Sequence, residues 1–188
     1  MVLSKLAQEV STTLVSTIKG TSDVISALRG VVKEQVTGVL KDVSDMATAS
    51  LDAVSEVVGG AVSATGQVGA SVGEMAKAAV SSAISTVSEL GGNGLTAVSE
   101  ATSGAVSGAA SIGGDIAGVA VSATEAAIEV AGKVGLSTTD VAREAVLAAV
   151  KAADQVSSEV GKSVRNALLS AASLPRDVIE KVLKGNEG

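Results

Sequence analysis

The stretch DAVSEVVGGAV, residues 52–62, returns at residues 96–106 as TAVSEATSGAV, with seven of eleven positions identical and a separation of 44 residues. Forty-four is four elevens, so the eleven-residue unit is the period to test along the rest of the chain. Starting at Gln8, windows of eleven run to Leu183 without insertion or deletion, sixteen in all. The third column is Val or Ala in thirteen of the sixteen windows. Columns three, six, seven, ten and eleven together hold eighty residues, of which one, Arg29, is charged. The fifth column is the opposite: eight of its sixteen residues are acids, among them Asp23, Glu34, Glu56, Glu144 and Asp177.

Eleven residues in three turns make about 3.67 per turn, close to the 3.6 of an α-helix. On that wheel the five apolar columns lie side by side as a broad stripe. Column two extends its edge, and columns one, four, five, eight and nine form a polar back. No segment keeps the period of two that a strand requires. The pattern predicts an all-α chain: one long, nearly continuous helix with an eleven-residue (hendecad) repeat. Unbroken, it would span about 260 Å at about 1.5 Å per residue. The chain is expected to divide into a lead-in over 1–7, a helical rod over 8–172, and a short C-terminal helix and tail over 173–188. Two interruptions are foreseen, a kink at GGNG, 91–94, and a second at SLPR, 173–176, where Pro175 lacks the amide hydrogen that a helix interior uses.

Composition narrows the function classes. The 188 residues include no Cys, His, Phe, Tyr or Trp, and the apolar content is almost wholly Ala and Val. Without aromatic side chains a thick interior is hard to fill, which favours elongated packing. Without Cys and His the usual transition-metal ligands and the neutral-pH proton shuttle are missing. The net charge of −6 argues against a nucleic-acid partner, which needs clustered Lys and Arg. MVLSKLAQEV, residues 1–10, has no basic segment followed by an apolar run, so no secretion signal is expected there and a cytoplasmic or membrane-peripheral location is.

Motifs that could carry chemistry do not hold together. Ser16–Lys19, STIK, has the spacing of a serine–lysine nucleophile pair but lacks its companion motifs. Gly161-Lys162-Ser163 ends like a phosphate loop, yet Val156 stands where the first glycine is required. The fifth-column acids recur about 16 Å apart along a helix, too far to share an ion. No catalytic, cofactor-binding or metal site is expected, and the chain does not read as an enzyme.

The stripe must still be covered. Identical helices covering one another would form a right-handed or almost straight coiled-coil homo-oligomer. The stripe is wider than a two-stranded seam needs, so three or four chains, a tetramer for preference, are expected. The residues assigned to that assembly are Ile25, Val32, Val36, Leu40, Val43, Val54, Val58, Ile84, Val87, Leu95, Val98, Ile128, Val146, Val150 and Val164. The pairs Gly69/Gly73, Gly104/Gly108 and Gly114/Gly118 have the small-xxx-small spacing of closely packed helices. The longest uncharged run, residues 57–73, is 17 long and carries Ser, Thr and Gln, so a bilayer-spanning helix is not expected.

In its elevens the chain resembles the long hendecad coiled coils of prokaryotes. That resemblance implies a rod, spacer or filament assembled through the Val/Ala stripe. Aromatic-free elevens such as DAVSEVVGGAV and TAVSEATSGAV also resemble the amphipathic repeats of perilipins and, more distantly, those of the synucleins. This second resemblance implies a helix lying on a lipid or membrane surface, with Lys33, Lys77, Arg143, Arg165 and Arg176 at the polar–apolar border.

Overall fold

A computed structural model describes residues 4–19, 23–41 and 51–185. Its helices are α1 (Lys5–Ile18), α2 (Val24–Leu40), α3 (Asp52–Ser63), the single turn α4 (Thr65–Val68), α5 (Val72–Glu89), α6 (Gly94–Ser111), α7 (Ile116–Val134), α8 (Thr138–Val156), α9 (Ser158–Ser170) and α10 (Arg176–Gly185). No strand occurs among the described residues. The all-α expectation holds. The single long coiled-coil helix does not: the helices fold back and pack against one another within one chain.

The reason lies in a punctuation that the eleven-residue period conceals. Gly69, Gly91, Gly113 and Gly135 all have positive φ, between 64° and 81°, and stand 22 residues apart. Two residues after each comes a capping side chain: Ser71, Asn93, Asp115 and Ser137, each accepting from the backbone N–H three residues on. A left-handed glycine ends a helix at little steric cost, and a Ser, Asn or Asp cap starts the next. At three of the four turns the residue after the glycine closes the motif. Gly92, Gly114 and Leu136 donate to the carbonyls of Val87, Ala109 and Ala131, each at 2.9 Å.

Each helix-plus-turn therefore consumes two whole elevens, and the next helix re-enters the pattern at the same column. The four positive-φ glycines all fall in column seven of alternate windows, where their small size had placed them in the apolar stripe. GGNG at 91–94 is thus a full reversal rather than a kink: Gly91 ends one helix and Asn93 caps another. Around Pro175 the chain leaves α9 at Ser170 and starts α10 at Arg176. Helices of 18 or 19 residues, about 28 Å long, replace the expected rod.

Packing arranges the helices in two layers. In one, α1, α3, α6 and α8 lie side by side in that order; in the other, α2, α5, α7 and α9 do. Consecutive helices pair across the layers, so each hairpin adds one helix to each layer. In the first layer α3 carries DAVSEVVGGAV and α6 carries TAVSEATSGAV, and the two are neighbours. Their approach is close because the facing residues are small. A Cβ on Gly59 would lie 3.2 Å from the Gly104 carbonyl oxygen, and one on Gly108 would lie 2.5 Å from that of Gly59. On Gly104 it would strike the Ser55 carbonyl, and on Gly60 that of Ala7 in α1.

Residues of α3 and α6 advance together along this seam, so the two helices run parallel. Gly59 and Gly60, read as polar back, are buried backbone contacts. Of the three small-xxx-small pairs only Gly104/Gly108 packs in this way; Gly69/Gly73 and Gly114/Gly118 straddle turns.

One apolar cluster runs from Val10 in α1 to Ala145 in α8, and a second joins Val106 and Ala120 to α8, α9 and Ile179 of α10. The two ends are closed by amphipathic helices: α1 turns Gln8, Glu9, Thr12 and Thr13 to solvent, and α10 turns Arg176, Asp177 and Lys181. Terminal helices with a polar outer side are what a stacked-hairpin architecture requires.

Because glycine plays two different roles, substitutions should split by sign. Gly30 and Gly38 sit inside α2 with open space where a methyl group would stand and no positive φ, so Ala there should stabilise by about 0.5–1 kcal/mol. Gly91→Ala should cost roughly 1–2 kcal/mol through its left-handed backbone. Gly108→Ala should cost on the order of 1–3 kcal/mol through overpacking against Gly59. Thermal unfolding followed by circular dichroism reads all four.

Candidate functional site

Each layer presents one outer face, and on each face a groove runs over a recessed central helix. The recess follows from residue size. In these two helices columns four, eight and one face the groove, as Ser99, Ser103 and Ser107 in α6 and as Lys77, Ser81 and Ser85 in α5. Short serine side chains leave the floor low between flanking helices with longer ones.

The groove over α6 encloses about 310 Å³. Ser55 of α3 lines one wall, and Glu144, Lys151 and Gln155 of α8 line the other. Glu100 stands in it, half-buried. Burial first, then repulsion from Asp52, raises its carboxyl above the ordinary value of 4.5, with Lys151 opposing.

The groove over α5 encloses about 290 Å³ and has the opposite charge balance. Its floor is Ser81, Ser82 and Ser85, one wall is Arg29 of α2, and the other is Ala126, Glu129, Val130 and Lys133 of α7, with Lys77 at one end. The Ser82 hydroxyl donates to the Arg29 carbonyl at 3.0 Å, tying α2 to α5. Lys33 and Glu89 add an exposed ion pair at 3.0 Å between the same helices.

Beyond the end of this groove, Glu125 of α7 gathers three segments. Lys77 Nζ lies 2.5 Å from its carboxylate, and the Ser173 hydroxyl, in the α9–α10 connection, donates to it. Burial pushes the Glu125 carboxyl up, but the hydrogen bonds from Lys77 and Ser173 and the lysine charge outweigh it, leaving the carboxyl below its ordinary value. Arg165 of α9 grips Asp154 of α8 through two hydrogen bonds, of 3.1 and 2.6 Å, over Gly161, where a Cβ would collide with that carboxylate.

The described residues among those assigned to assembly pack inside this single chain. Val32, Val36, Leu40, Val54, Val58, Ile84, Val87 and Val98 are buried in the larger cluster, with Ile25 and Leu95 packed against it. Val146, Val150 and Val164 are buried in the smaller one, and Ile128 touches both. Val43 lies outside the described residues. Gly161-Lys162-Ser163 sits within helix α9, not in a loop, and Ser16 and Lys19 are exposed at the end of α1.

Among the described residues no group of three or more Asp or Glu is placed to hold a metal ion, and no helix is long and apolar enough to cross a membrane. The grooves themselves were not legible in the sequence, although Arg29, the one charge in the stripe, marked the position where column eleven leaves the core. In comparison with known proteins, no family model matches the chain and no curated protein matches its sequence.

The two perturbed carboxyls should act oppositely on stability. For Glu100 the folded-state value is raised, so ionisation costs stability above that value, and the cost disappears as pH falls below the ordinary 4.5. Glu100→Gln should therefore raise the melting temperature at pH 7 and lose that advantage near pH 4. For Glu125 the folded-state value is depressed, so its contribution is present above 4.5 and is lost as pH falls through the lower folded value. Glu125→Gln should lower the melting temperature at pH 7, with the difference shrinking in acid.

Proposed function

We propose that this chain is a structural protein without catalytic activity: a stack of helical hairpins that holds its shape as a single molecule and offers two long faces as a scaffold. One observation carries this reading. Among the described residues most of the Val/Ala stripe is buried between helices of the same chain, and α1 and α10 turn polar outer sides to solvent. Association through the stripe would require the hairpins to come apart, so the stripe serves cohesion of the scaffold and the outer faces serve its contacts. The hendecad repeat is then a folding code for stacked hairpins, with two elevens to each helix and its turn.

A second reading, a lipid-surface coat, is favoured by the glycine turns. Each helix from α5 to α8 is a separate amphipathic segment joined to the next through a left-handed glycine or, after α8, through Ser157. Rotation at those turns would open the hairpins and lay the stripes against lipid, without loss of helix.

Sedimentation equilibrium distinguishes the readings. The scaffold should sediment at its chain mass of 18.2 kDa at all concentrations, with helical content unchanged by dilution. Val54→Asp, which puts a charge in the α3 core, should unfold it rather than release subunits. A mass that rises with concentration, or helix lost on dilution, would overturn the scaffold reading. Co-flotation with phosphatidylcholine vesicles, with helix retained and the cooperative melt abolished, would establish the coat in its place.

A further inference from the structure

The α5 groove has a composition that scaffolding does not need. In a chain of net charge −6, three cationic side chains, Arg29, Lys77 and Lys133, converge on one cavity against a single lining carboxylate, Glu129. Their engagements differ. Lys77 is held by Glu125 at 2.5 Å. Lys133 pairs with Glu129 at 3.2 Å, an exposed i, i+4 contact of the weak, solvent-screened kind. The Arg29 guanidinium makes no ion pair or hydrogen bond among the described residues. The acid that feels its charge, Asp23, is held by the backbone N–H and hydroxyl of Ser26 at 3.0 and 2.7 Å. Those hydrogen bonds come first in lowering the Asp23 carboxyl, and the Arg29 charge comes last.

The floor supplies hydroxyls in the same place. Ser82 is committed to the Arg29 carbonyl, which leaves Ser81 and Ser85, half-buried and one helical turn apart, with no hydrogen-bond partner among the described residues. A guanidinium with no ion pair among the described residues, a lysine in a weak pair, and two hydroxyls with no partner among those residues are the donor set that a compact oxyanion takes. The volume, about 290 Å³, lies at the small end of ligand pockets, which run from about 300 Å³ upward. The groove over α6 shows the contrast: a similar serine floor and volume, but Glu100 and Glu144 against Lys151.

We propose that the groove between α2, α5 and α7 binds a phosphoryl-type oxyanion, with Arg29 and Lys133 on its charge and the Ser81 and Ser85 hydroxyls donating from below. The cap of α2, Asp23, precedes that of α5, Ser71, by 48 residues, so α2 departs from the 44-residue spacing of the later helices. Arg29 is exposed at the groove, whereas Leu40, eleven residues on in the same helix, is buried in the core. The phosphoryl group could belong to a soluble compound or to a lipid headgroup, and the geometry of recognition is the same.

Titration calorimetry of the full chain with inorganic pyrophosphate at low ionic strength tests the site, beside flotation with vesicles containing phosphatidic acid. Saturable binding of one equivalent is expected in at least one arm, and the arm that responds identifies the source. Arg29→Gln, at an exposed side chain, should weaken it by about tenfold or more. Ser81→Ala with Ser85→Ala should weaken it about threefold or more, with helical content unchanged. Lys162→Gln, on α9 outside the groove, should leave it unaltered. The proposal is overturned if neither probe binds saturably, or if Lys162→Gln costs as much as Arg29→Gln, which would mark general attraction rather than a site.

Discussion

The close approach of α3 and α6 is the constraint on which the molecule depends. A chain built from Ala, Val, Gly and Ser has little apolar area per residue to bury, so its helices gain cohesion only by coming near one another. Gly59, Gly104 and Gly108 allow that at the centre of the first layer, and Gly60 repeats it against Ala7 of α1. Glycine lowers helix propensity by about 1 kcal/mol relative to Ala, so these helices gain from the contacts what they lose in intrinsic preference. The seam is consequently a tertiary feature: neither helix has reason to carry those glycines alone.

A second use of glycine sets the topology. The turns at Gly69, Gly91, Gly113 and Gly135 recur at 22 residues, and the caps that follow them keep the same spacing. Since each helix and its turn occupy two periods of eleven, reversal of the chain does not disturb the column pattern. The helices α5 and α7, and α6 and α8, start 44 residues apart and are neighbours within their layers, and α3, with the similar eleven, packs beside α6. Stability in such an arrangement is shared among adjacent hairpins, each of which covers the stripe of the next.

The grooves follow from the same economy. With the stripe turned inward, the outward columns of the central helices carry serine, and flanking helices with longer side chains rise above them. Charge then differentiates the two faces. Arg29, Lys77 and Lys133 gather over α5, while Glu100 and Glu144 gather over α6. Any two members of either group stand 44 or more positions apart in the sequence, and only the layering brings them together.

Read alone, the sequence established that the chain is helical and that the third column is its most consistently apolar side, but columns eight and nine, read as polar back, bury Gly59, Gly60 and Gly104. Val54, Val58, Val87 and Val98 are in the core because a period of 3.67 leaves them on one side of any helix that obeys it. What covers that side emerged only from the packing of helix on helix. A stripe is the same stripe whether its partner is a second chain, a lipid surface or the next hairpin, and a 22-residue punctuation has the same elevenfold columns as an unbroken rod. The local signal was present in Gly-X-Ser, Gly-X-Asn and Gly-X-Asp at 69–71, 91–93, 113–115 and 135–137. Its meaning rested on backbone: a glycine at negative φ continues a helix, and one at positive φ ends it, and side-chain periodicity does not distinguish the two.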